Sequence, residues 1–152
     1  MRKVLNAKAK VKGFTLLEML AAMSLMAILV ALAVPAYTEY TLRGDRAQAS
    51  ATIRSIELAI SGYYVRHRTF PDSLDELSLD IPDDPWGKAY VYAVIEGDYV
   101  AKHKNGVPLN SDYDLVSKGP DGKTRKKTTN KFSRDDIIRA DNGVFVGLST
   151  DY

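Results

Sequence analysis

An apolar stretch near the start of the chain, from Phe14 to Val34, constrains the fold more than any other feature. Its roughly 20 residues would form a helix of about 30 Å, which is the thickness of a bilayer's hydrocarbon core. Glu18 is its only ionisable side chain. The residues before it form a basic leader without acids, whose cations are Arg2, Lys3, Lys8, Lys10 and Lys12. This pattern predicts a membrane-inserted segment with the leader on the cytoplasmic side.

The carboxylate of Glu18 is costly inside a membrane, by about 2.5 to 3.5 kcal/mol at the centre of a span and less near its end. Cleavage after Gly13 would supply a counter-ion, because the new α-amino group on Phe14 is largely cationic at neutral pH. Glu18 could meet that amine in its own chain or in a staggered neighbour. The second arrangement would make assembly a means of neutralising a buried charge.

The stretch Gly13-Phe14-Thr15-Leu16-Leu17-Glu18, followed by the apolar run and Pro35, resembles the class III signal of type IV pilins and type II secretion pseudopilins. The resemblance implies that a membrane prepilin peptidase cuts between Gly13 and Phe14, and that the new Phe14 amine is methylated. It also implies that Glu18 sets the register of subunits in a helical filament.

Two other interpretations of this region remain open. Ala31-Leu32-Ala33 fits the rule for conventional signal cleavage at the far end of an apolar core. A simple uncleaved membrane anchor is the second alternative. Neither explains an acid placed inside the apolar segment directly after Gly13-Phe14.

The rest of the chain is sufficient for one small domain. The 152 residues include no cysteine, so disulfides contribute nothing despite an oxidising destination. The formal net charge of +2 includes the five leader cations, so the chain beyond the leader is net acidic and its charge is not a nucleic-acid signature. The stability of the fold must therefore come from packing, and a bound metal is the other candidate source of stability.

Beyond Pro35, apolar residues recur at helical spacing with polar residues between them. This predicts an amphipathic continuation of the same helix to about His67. The apolar positions are Leu42, Ala49, Ile53, Ile56, Ile60 and Tyr63 or Tyr64. Phe70-Pro71 should stop the helix, since proline pushes the residue before it out of the helical region.

The remainder of the chain has the pattern of short strands and turns. Ser73 to Glu76 fits a capping box and predicts one helical turn, while Asp83 to Gly87 is a turn cluster. The predicted strands are 89–95, 99–103 and 113–117, with 137–139 and 144–148 as short edge pieces.

The predicted fold class is α+β. A long N-terminal helix, apolar in its first half and amphipathic in its second, packs on a small antiparallel sheet. The predicted divisions are a removed leader at 1–13, a transmembrane or filament-core helix at 14–36, and an exported domain at 37–152.

The second half of the chain is similar to the major pseudopilin of type II secretion systems in the order of its motifs. These are Asp84-Pro85-Trp86-Gly87, Tyr90-Val91-Tyr92, residues 113–117, Gly119-Pro120-Asp121-Gly122 and Asp136-Ile137. The resemblance implies a pilin-like fold and a Ca²⁺ ion in the loop after the Asp-Gly, with Asp121 and Asp136 as acidic ligands. Carbonyl groups near Leu115 and Lys118 are its candidate main-chain partners.

Physical arguments point both ways on calcium. Ca²⁺ takes six to eight oxygens and could clamp a long irregular loop, but Asp-Gly is also a common turn dipeptide. Residues 123–134 lack acids and include six cations that repel a divalent ion, namely Lys123, Arg125, Lys126, Lys127, Lys131 and Arg134. This loop could instead contact a phosphate-rich partner such as DNA or lipopolysaccharide. Charge runs on loops are usually solvated, so nucleic acid is not the expected partner.

An enzyme is not predicted. The two histidines, His67 and His103, have basic or polar neighbours, and the sequence contains no phosphate loop and no spaced His/Glu metal pair.

The predicted function is that of a structural subunit of a periplasmic pseudopilus that drives type II protein secretion. Its expected partners are further copies of itself, minor pseudopilins, the prepilin peptidase and an inner-membrane assembly platform.

The predicted location is the bacterial inner membrane. The chain would cross it once, with its N-terminus cytoplasmic and its globular domain periplasmic. Two alternatives remain: a type IV pilin of a surface filament for adhesion, motility or DNA uptake, and a monomeric membrane-anchored domain.

Overall fold

The computed structural model describes residues 13–96 and 102–152. Nearly all of the predicted leader, and most of the strand predicted at 99–103, lie outside the described residues. The chain divides into two compact units, one that ends at Tyr40 and one that spans Thr41–Tyr152. The predicted α+β class is confirmed, because one long helix, α1 (Leu16–His67), precedes a small antiparallel sheet.

In the second unit, α1 buries one face against the sheet. The fully buried residues of this face are Ala49, Ile53, Ile56 and Ile60. Their spacing of three and four residues puts them on one side of a helix, and each buried isoleucine contributes about 1.5 to 3 kcal/mol. The predicted apolar stripe is therefore confirmed. Tyr63 continues it by packing against the core, whereas Tyr64 is exposed.

The end of α1 is set by the backbone of Arg68. This residue has a left-handed conformation, with φ of 62°, and its N–H donates to the carbonyl of Tyr64 at 2.8 Å. A left-handed residue after the last turn is a common helix terminator. The helix therefore ends at His67, shortly before the predicted stop at Phe70-Pro71.

Six short strands follow the helix. They are β1 (Val91–Val94), β2 (His103–Lys104), β3 (Val107–Pro108), β4 (Tyr113–Ser117), β5 (Ile137–Ala140) and β6 (Phe145–Leu148). Four of them form an antiparallel sheet in the order β1-β4-β5-β6, in which Tyr92 pairs with Leu115 and Ser117 with Ile137. β2 and β3 form a separate two-stranded hairpin.

Two local predictions need correction. Residues 137–139 are not an edge piece, because β5 lies between β4 and β6 and is buried along its length. The helical turn at Leu74–Glu76 is confirmed, but the side chain of Ser73, itself a described residue, makes no capping hydrogen bond. Glu76 instead accepts from the N–H of Asp72 at 3.1 Å and from the hydroxyl of Tyr63 at 2.6 Å.

The sheet separates two apolar clusters. The cluster on the α1 side includes Leu115 and Ile137, while their chain neighbours Val116 and Ile138 belong to the other cluster. Successive side chains of a strand point to opposite faces, so the two clusters lie on opposite sides of the sheet. The second cluster is completed by Leu109, Ala140, Val91, Phe145 and Tyr152.

A buried arginine connects α1 to the sheet. Arg139 of β5 donates to Glu57 Oε1 at 2.6 Å and, with its two terminal nitrogens, to both oxygens of Asp112 at 2.7 Å. Its guanidinium also lies 3.9 Å from the ring centroid of Tyr113. A buried charge is tolerated when it is paired and hydrogen-bonded in this way.

Candidate functional site

The first turn of α1 carries a capping box formed by Thr15 and Glu18. The N–H and the hydroxyl of Thr15 donate to Glu18 Oε2 at 2.9 and 3.0 Å, and the N–H of Glu18 donates to Thr15 Oγ1 at 3.2 Å. These reciprocal bonds satisfy N–H groups that the start of a helix leaves without partners. The Thr-x-x-Glu spacing is visible in the sequence, but the prediction for Glu18 rests on its charge alone.

The capping box uses only one oxygen of the carboxylate. Both hydrogen bonds from Thr15 end on Oε2, and no hydrogen bond to Oε1 is recorded among the described residues. Glu18 is exposed. Its second oxygen is therefore open to a group outside this chain.

The predicted cleavage site lies beside this turn. Gly13 and Phe14 precede the first helical residue, Leu16, and are exposed, with Phe14 79% accessible. Gly13, Phe14 and Glu18 thus lie within one short segment. An exposed peptide bond outside a helix is the kind of bond a peptidase can reach.

The first unit exposes every described side chain from residue 13 to Tyr40. Among the described residues, α1 is the one helix long and apolar enough to cross a membrane, with a mean hydropathy of 2.3 over its most apolar window and none of that window buried. Soluble proteins rarely expose apolar patches of this size without a partner. Lipid or other copies of the helix are the two environments that would cover it.

Asp136, one of the two predicted calcium ligands, is paired with a lysine. Lys102 Nζ lies 2.6 Å from Asp136 Oδ2 and also donates to Thr124 Oγ1 at 2.6 Å and to the carbonyl of Arg125 at 3.1 Å. The hydroxyl of Thr124 donates to the same Asp136 oxygen at 2.6 Å. Asp136 is fully buried and Lys102 nearly so. Burial raises the pKa of the Asp136 carboxyl, and the Lys102 ammonium opposes that shift.

The other predicted calcium ligands lie near Asp136 in the fold: Lys118 follows Ser117, which pairs with Ile137, and the N–H of Asp121 donates to Asp135 Oδ2 at 3.1 Å. Asp121 is exposed, and its carboxylate accepts from the N–H of Lys123 at 2.7 Å. Leu115 lies inside β4, opposite Tyr92 of β1, and Lys118 follows that strand. Among the described residues, no group of three or more histidines or acids could hold a metal ion.

The ammonium of Lys102 is bound by three oxygens beside Asp136, one of the predicted Ca²⁺ ligands, and would repel a second cation there. Asp136 Oδ1 is buried and has no hydrogen-bond partner among the described residues. The calcium site stays a prediction from resemblance, and the residues present argue against it. No local pattern in the sequence indicates Lys102, because 34 positions, with β2, β3 and β4 among them, separate it from Asp136.

Asp84 organises the turn before β1. Its Oδ1 accepts from the N–H groups of Trp86 and Lys88 at 3.1 and 2.8 Å, and its Oδ2 accepts from the hydroxyl of Ser117 at 2.6 Å. Asp84 is buried, so its carboxylate fixes the turn against the end of β4. Trp86 therefore belongs to an anchored turn, which lies within the predicted turn cluster from Asp83 to Gly87.

The two histidines lie in different environments. His67 ends α1 and stacks on Tyr63, with ring centroids 4.2 Å apart. His103 is in β2, and its Nδ1 is a buried atom without a hydrogen-bond partner among the described residues.

Comparison with known proteins gives one family match, to the prokaryotic N-terminal methylation motif, over residues 8–34. The type IV major fimbrial protein FimA of Dichelobacter nodosus is 31% identical over 149 residues, which are 95% of this chain and 91% of that protein. The type IV major pilin protein PilE of Neisseria gonorrhoeae is 26% identical over 138 residues, or 86% of this chain and 83% of the relative.

The chain is also similar to a secretion protein. The type II secretion system core protein G of Escherichia coli (strain K12) is 28% identical over 139 residues, covering 78% of this chain and 88% of that protein. With several other neisserial relatives the match spans only about half of the relative's length. No solved structure matches the chain at a significant level.

Proposed function

The chain belongs to the type IV pilin-like superfamily, a group of structural subunits without enzymatic activity, and from this premise we propose that it is the subunit of a periplasmic pseudopilus that drives type II protein secretion. In this proposal a prepilin peptidase cuts between Gly13 and Phe14, and the new amine of Phe14 is methylated. The cleaved chains then polymerise through the apolar half of α1.

One observation carries the proposal: the exposed apolar half of α1, up to Val34, has a single carboxylate, on Glu18, and Glu18 Oε1 accepts no hydrogen bond from the part of the chain that the structure describes. Polymerisation would cover the apolar face from Phe14 to Val34, and it would bring the Phe14 amine of a neighbour to Glu18 Oε1. This pairing leaves the Thr15 capping box intact. A buried ion pair formed in this way would fix the register of neighbouring subunits, since misaligned copies would leave a charge unpaired in an apolar surrounding.

Features of the second unit support the proposed secretion pseudopilus. The motifs that resemble the major pseudopilin form real structural features, namely the turn fixed by Asp84, the buried strand β4 and the sharp turn at Gly119. The similarity to core protein G also extends over most of both chains. A type IV pilin of a surface filament remains the second candidate, supported by the similarity to the fimbrial protein of Dichelobacter nodosus.

The apolar helix and the family membership indicate a membrane-anchored protein. We place it in the inner membrane, with the leader cytoplasmic and the second unit in the periplasm. The proposed partners are other copies of the chain, minor pseudopilins, the prepilin peptidase and an assembly platform in the same membrane.

Deleting the gene for this chain separates the candidates. Loss of the secretion of exported enzymes, with surface filaments unchanged, is expected for a pseudopilin. Loss of surface filaments with secretion intact would instead support the pilin. If neither changes and the protein never crosslinks to itself, the chain is a monomeric anchored domain and the proposal is wrong.

A variant at the cleavage site gives a second test. Gly13→Val should block cleavage, because a branched side chain replaces the residue before the cut, and the uncut chain should stay in the membrane without polymerising. Gly44→Ala is the matched control, since Gly44 lies in α1 with no atom near the added methyl group. Wild-type polymer from the Gly13→Val chain would contradict the processing step.

A further inference from the structure

A segment before β1 is strongly acidic. Residues 69–87 contain no lysine, arginine or histidine and six acids, of which five are exposed, namely Asp72, Asp75, Glu76, Asp80 and Asp83. Asp72, Asp75, Asp80 and Asp83 line an open groove of about 490 Å³ whose apolar lining includes Leu79 and Pro82. We call this surface the acidic groove.

A segment between β4 and β5 is equally basic. All six cations of residues 123–134 are exposed. Three of them surround the ring of Phe132, with Lys123 Nζ, Arg125 Cζ and Lys131 Nζ at 5.2, 5.6 and 4.7 Å from its centroid. We call this surface the basic knob. It presents an aromatic ring flanked by positive charge, which is the complement of an apolar groove flanked by carboxylates.

The two surfaces lie on opposite faces of the second unit. The acidic groove is on the α1 face, because Leu74, Leu77 and Ile81 pack into the cluster that α1 covers. The basic knob is on the other face, because Arg125 and Lys126 line one pocket with Val91 and Val116 of the second cluster. The ion pairs Lys102–Asp136 and Arg139–Asp112 involve none of the exposed charges of the two surfaces. Because the two surfaces lie on opposite faces, a neighbouring copy is the means of bringing them together.

We propose that the acidic groove of one copy receives the basic knob of the next copy. This inference rests on the proposed function, since it names a second contact within the same filament. An interface between two different surfaces is heterologous, so each docked pair leaves one groove and one knob unused, and the contact propagates into an open polymer. The occupant of the groove is thus a second copy of this chain.

The charges of the groove and the knob determine what this contact contributes to assembly. Pairs of exposed charges contribute little individually and are screened by salt, with a Debye length of about 8 Å at physiological ionic strength. A matched set of charges nevertheless suppresses wrong orientations, because like charges brought together are strongly unfavourable. The groove and the knob therefore fix how neighbouring domains are rotated, while the apolar helices supply most of the association energy.

Cysteine crosslinking tests the contact directly, because the natural chain contains no cysteine. Ser78 and Thr129 are exposed neutral residues within the acidic and the basic segment. We expect the double variant Ser78→Cys, Thr129→Cys to form a ladder of disulfide-linked oligomers in membranes that contain the assembled full chain. Each single variant should give dimers at most. Ser55→Cys combined with Ser78→Cys, which places one cysteine on α1, is the matched control and should give no ladder.

Charge reversal shows whether the contact is electrostatic. Asp75→Lys with Asp80→Lys should lower the ladder yield about tenfold, and adding Lys127→Glu with Lys131→Glu should restore it. Sedimentation measures polymer in the same samples. If the chain forms polymer but no ladder, the groove–knob contact is wrong and the proposed function still stands. If the chain forms no polymer at all, both the contact and the proposed function are wrong. A ladder that charge reversal leaves unchanged also overturns the contact as described.

Discussion

At the residue scale, the account depends on Glu18, whose carboxylate has two oxygens with separate roles. Oε2 caps the start of α1 through Thr15, and Oε1 is open. A capping interaction is worth about 1 kcal/mol, whereas an unpaired charge in an apolar surrounding costs several times more. The charge, rather than the cap, should therefore control assembly.

Replacing the charge while keeping the cap tests this division. Glu18→Gln retains an oxygen that accepts from Thr15, so the chain should insert and be cleaved normally, but it should assemble poorly because no counter-ion attracts the neighbour's amine. The measurement is filament yield by sedimentation. Thr15→Val, which removes the capping hydroxyl and keeps the charge, is the control. Wild-type yield from Glu18→Gln would refute the pairing role.

A second residue-scale prediction concerns pH. Burial works against the charged form of Asp112, but hydrogen bonds from Arg139 and from the N–H of Tyr113 outweigh it and lower the pKa of the Asp112 carboxyl. A carboxyl with a lowered pKa in the folded state contributes stability that is fully present above its unfolded pKa and lost as the pH falls through the folded value. Asp112 therefore stabilises the fold at neutral pH, and this contribution declines as the pH falls from about 4, the unfolded pKa, through the lower pKa of the folded state.

The variant Asp112→Asn should lose about 2 kcal/mol of unfolding free energy at pH 7, because it leaves the buried guanidinium of Arg139 with Glu57 as its remaining acid. It should also depend less on pH than the wild type below pH 4. Urea unfolding of the solubilised protein at several pH values measures both. An unchanged acid slope in the variant would contradict the assignment.

The candidate processing residues Gly13, Phe14 and Glu18 are predicted from sequence alone, since they lie in one short motif, and this assignment stays a prediction. It could not assign Arg139, whose partners Glu57 and Asp112 are distant in the chain. Only the packing of α1 on β5 brings these three together. The capping role of Glu18 was readable from Thr15 three residues earlier.

At the element scale, the turn after β4 demands glycine at position 119. Gly119 has φ of 62°, and a Cβ there would lie 2.2 Å from the carbonyl oxygen of Asp135. Both the backbone conformation and the close approach exclude a side chain.

Gly119→Ala should therefore destabilise the fold by about 3 kcal/mol or more, measured by thermal or urea unfolding. Gly87→Ala is the matched control, since Gly87 also has positive φ, 73°, but has no atom near the added methyl group. That variant should lose only about 1 kcal/mol. Equal losses in the two variants would show that the contact with Asp135 is unimportant.

We expect the ion pair of Lys102 with Asp136 to stabilise the long loop between β4 and β5. Lys102→Met keeps the length of the side chain and removes its charge, which leaves the fully buried carboxylate of Asp136 unpaired. The expected loss of unfolding free energy is about 3 kcal/mol. Lys127→Met, in the exposed part of the same loop, should change stability by about 0.5 kcal/mol or less.

Chelation tests whether the Lys102 ammonium or a bound calcium ion stabilises this loop. Because Lys102 already supplies the cation, the melting temperature of the wild-type protein should not change with EDTA or with added Ca²⁺. A fall in melting temperature on chelation, reversed by Ca²⁺, would restore Asp121 and Asp136 as metal ligands.

The elements themselves were predictable to different degrees. The amphipathic stripe of α1 and the strand β4 follow from periodicity and β-propensity, and the structure confirms both. The interior position of β5 was missed, because strand order depends on long-range pairing rather than on local sequence. The hairpin strand β3, with Val107 and Pro108, has no alternation to indicate it.

At the scale of the whole molecule, one helix serves two compact units. Residues 13–40 expose an apolar surface that a soluble monomer could not keep in water, while the unit from Thr41 to Tyr152 has its own core and buried ion pairs. Sequence predicted both parts, because an apolar run and an amphipathic pattern are local signals. It could not predict that acidic and basic loops lie on opposite faces of the second unit.

The most direct test of the central claim is the intact mass and N-terminal sequence of the protein extracted from the membrane. The account predicts a chain that begins at Phe14 and carries one methyl group on its α-amine, with residues 1–13 absent. A chain that retains Met1, or one that begins at Val34 after conventional signal cleavage, would contradict it.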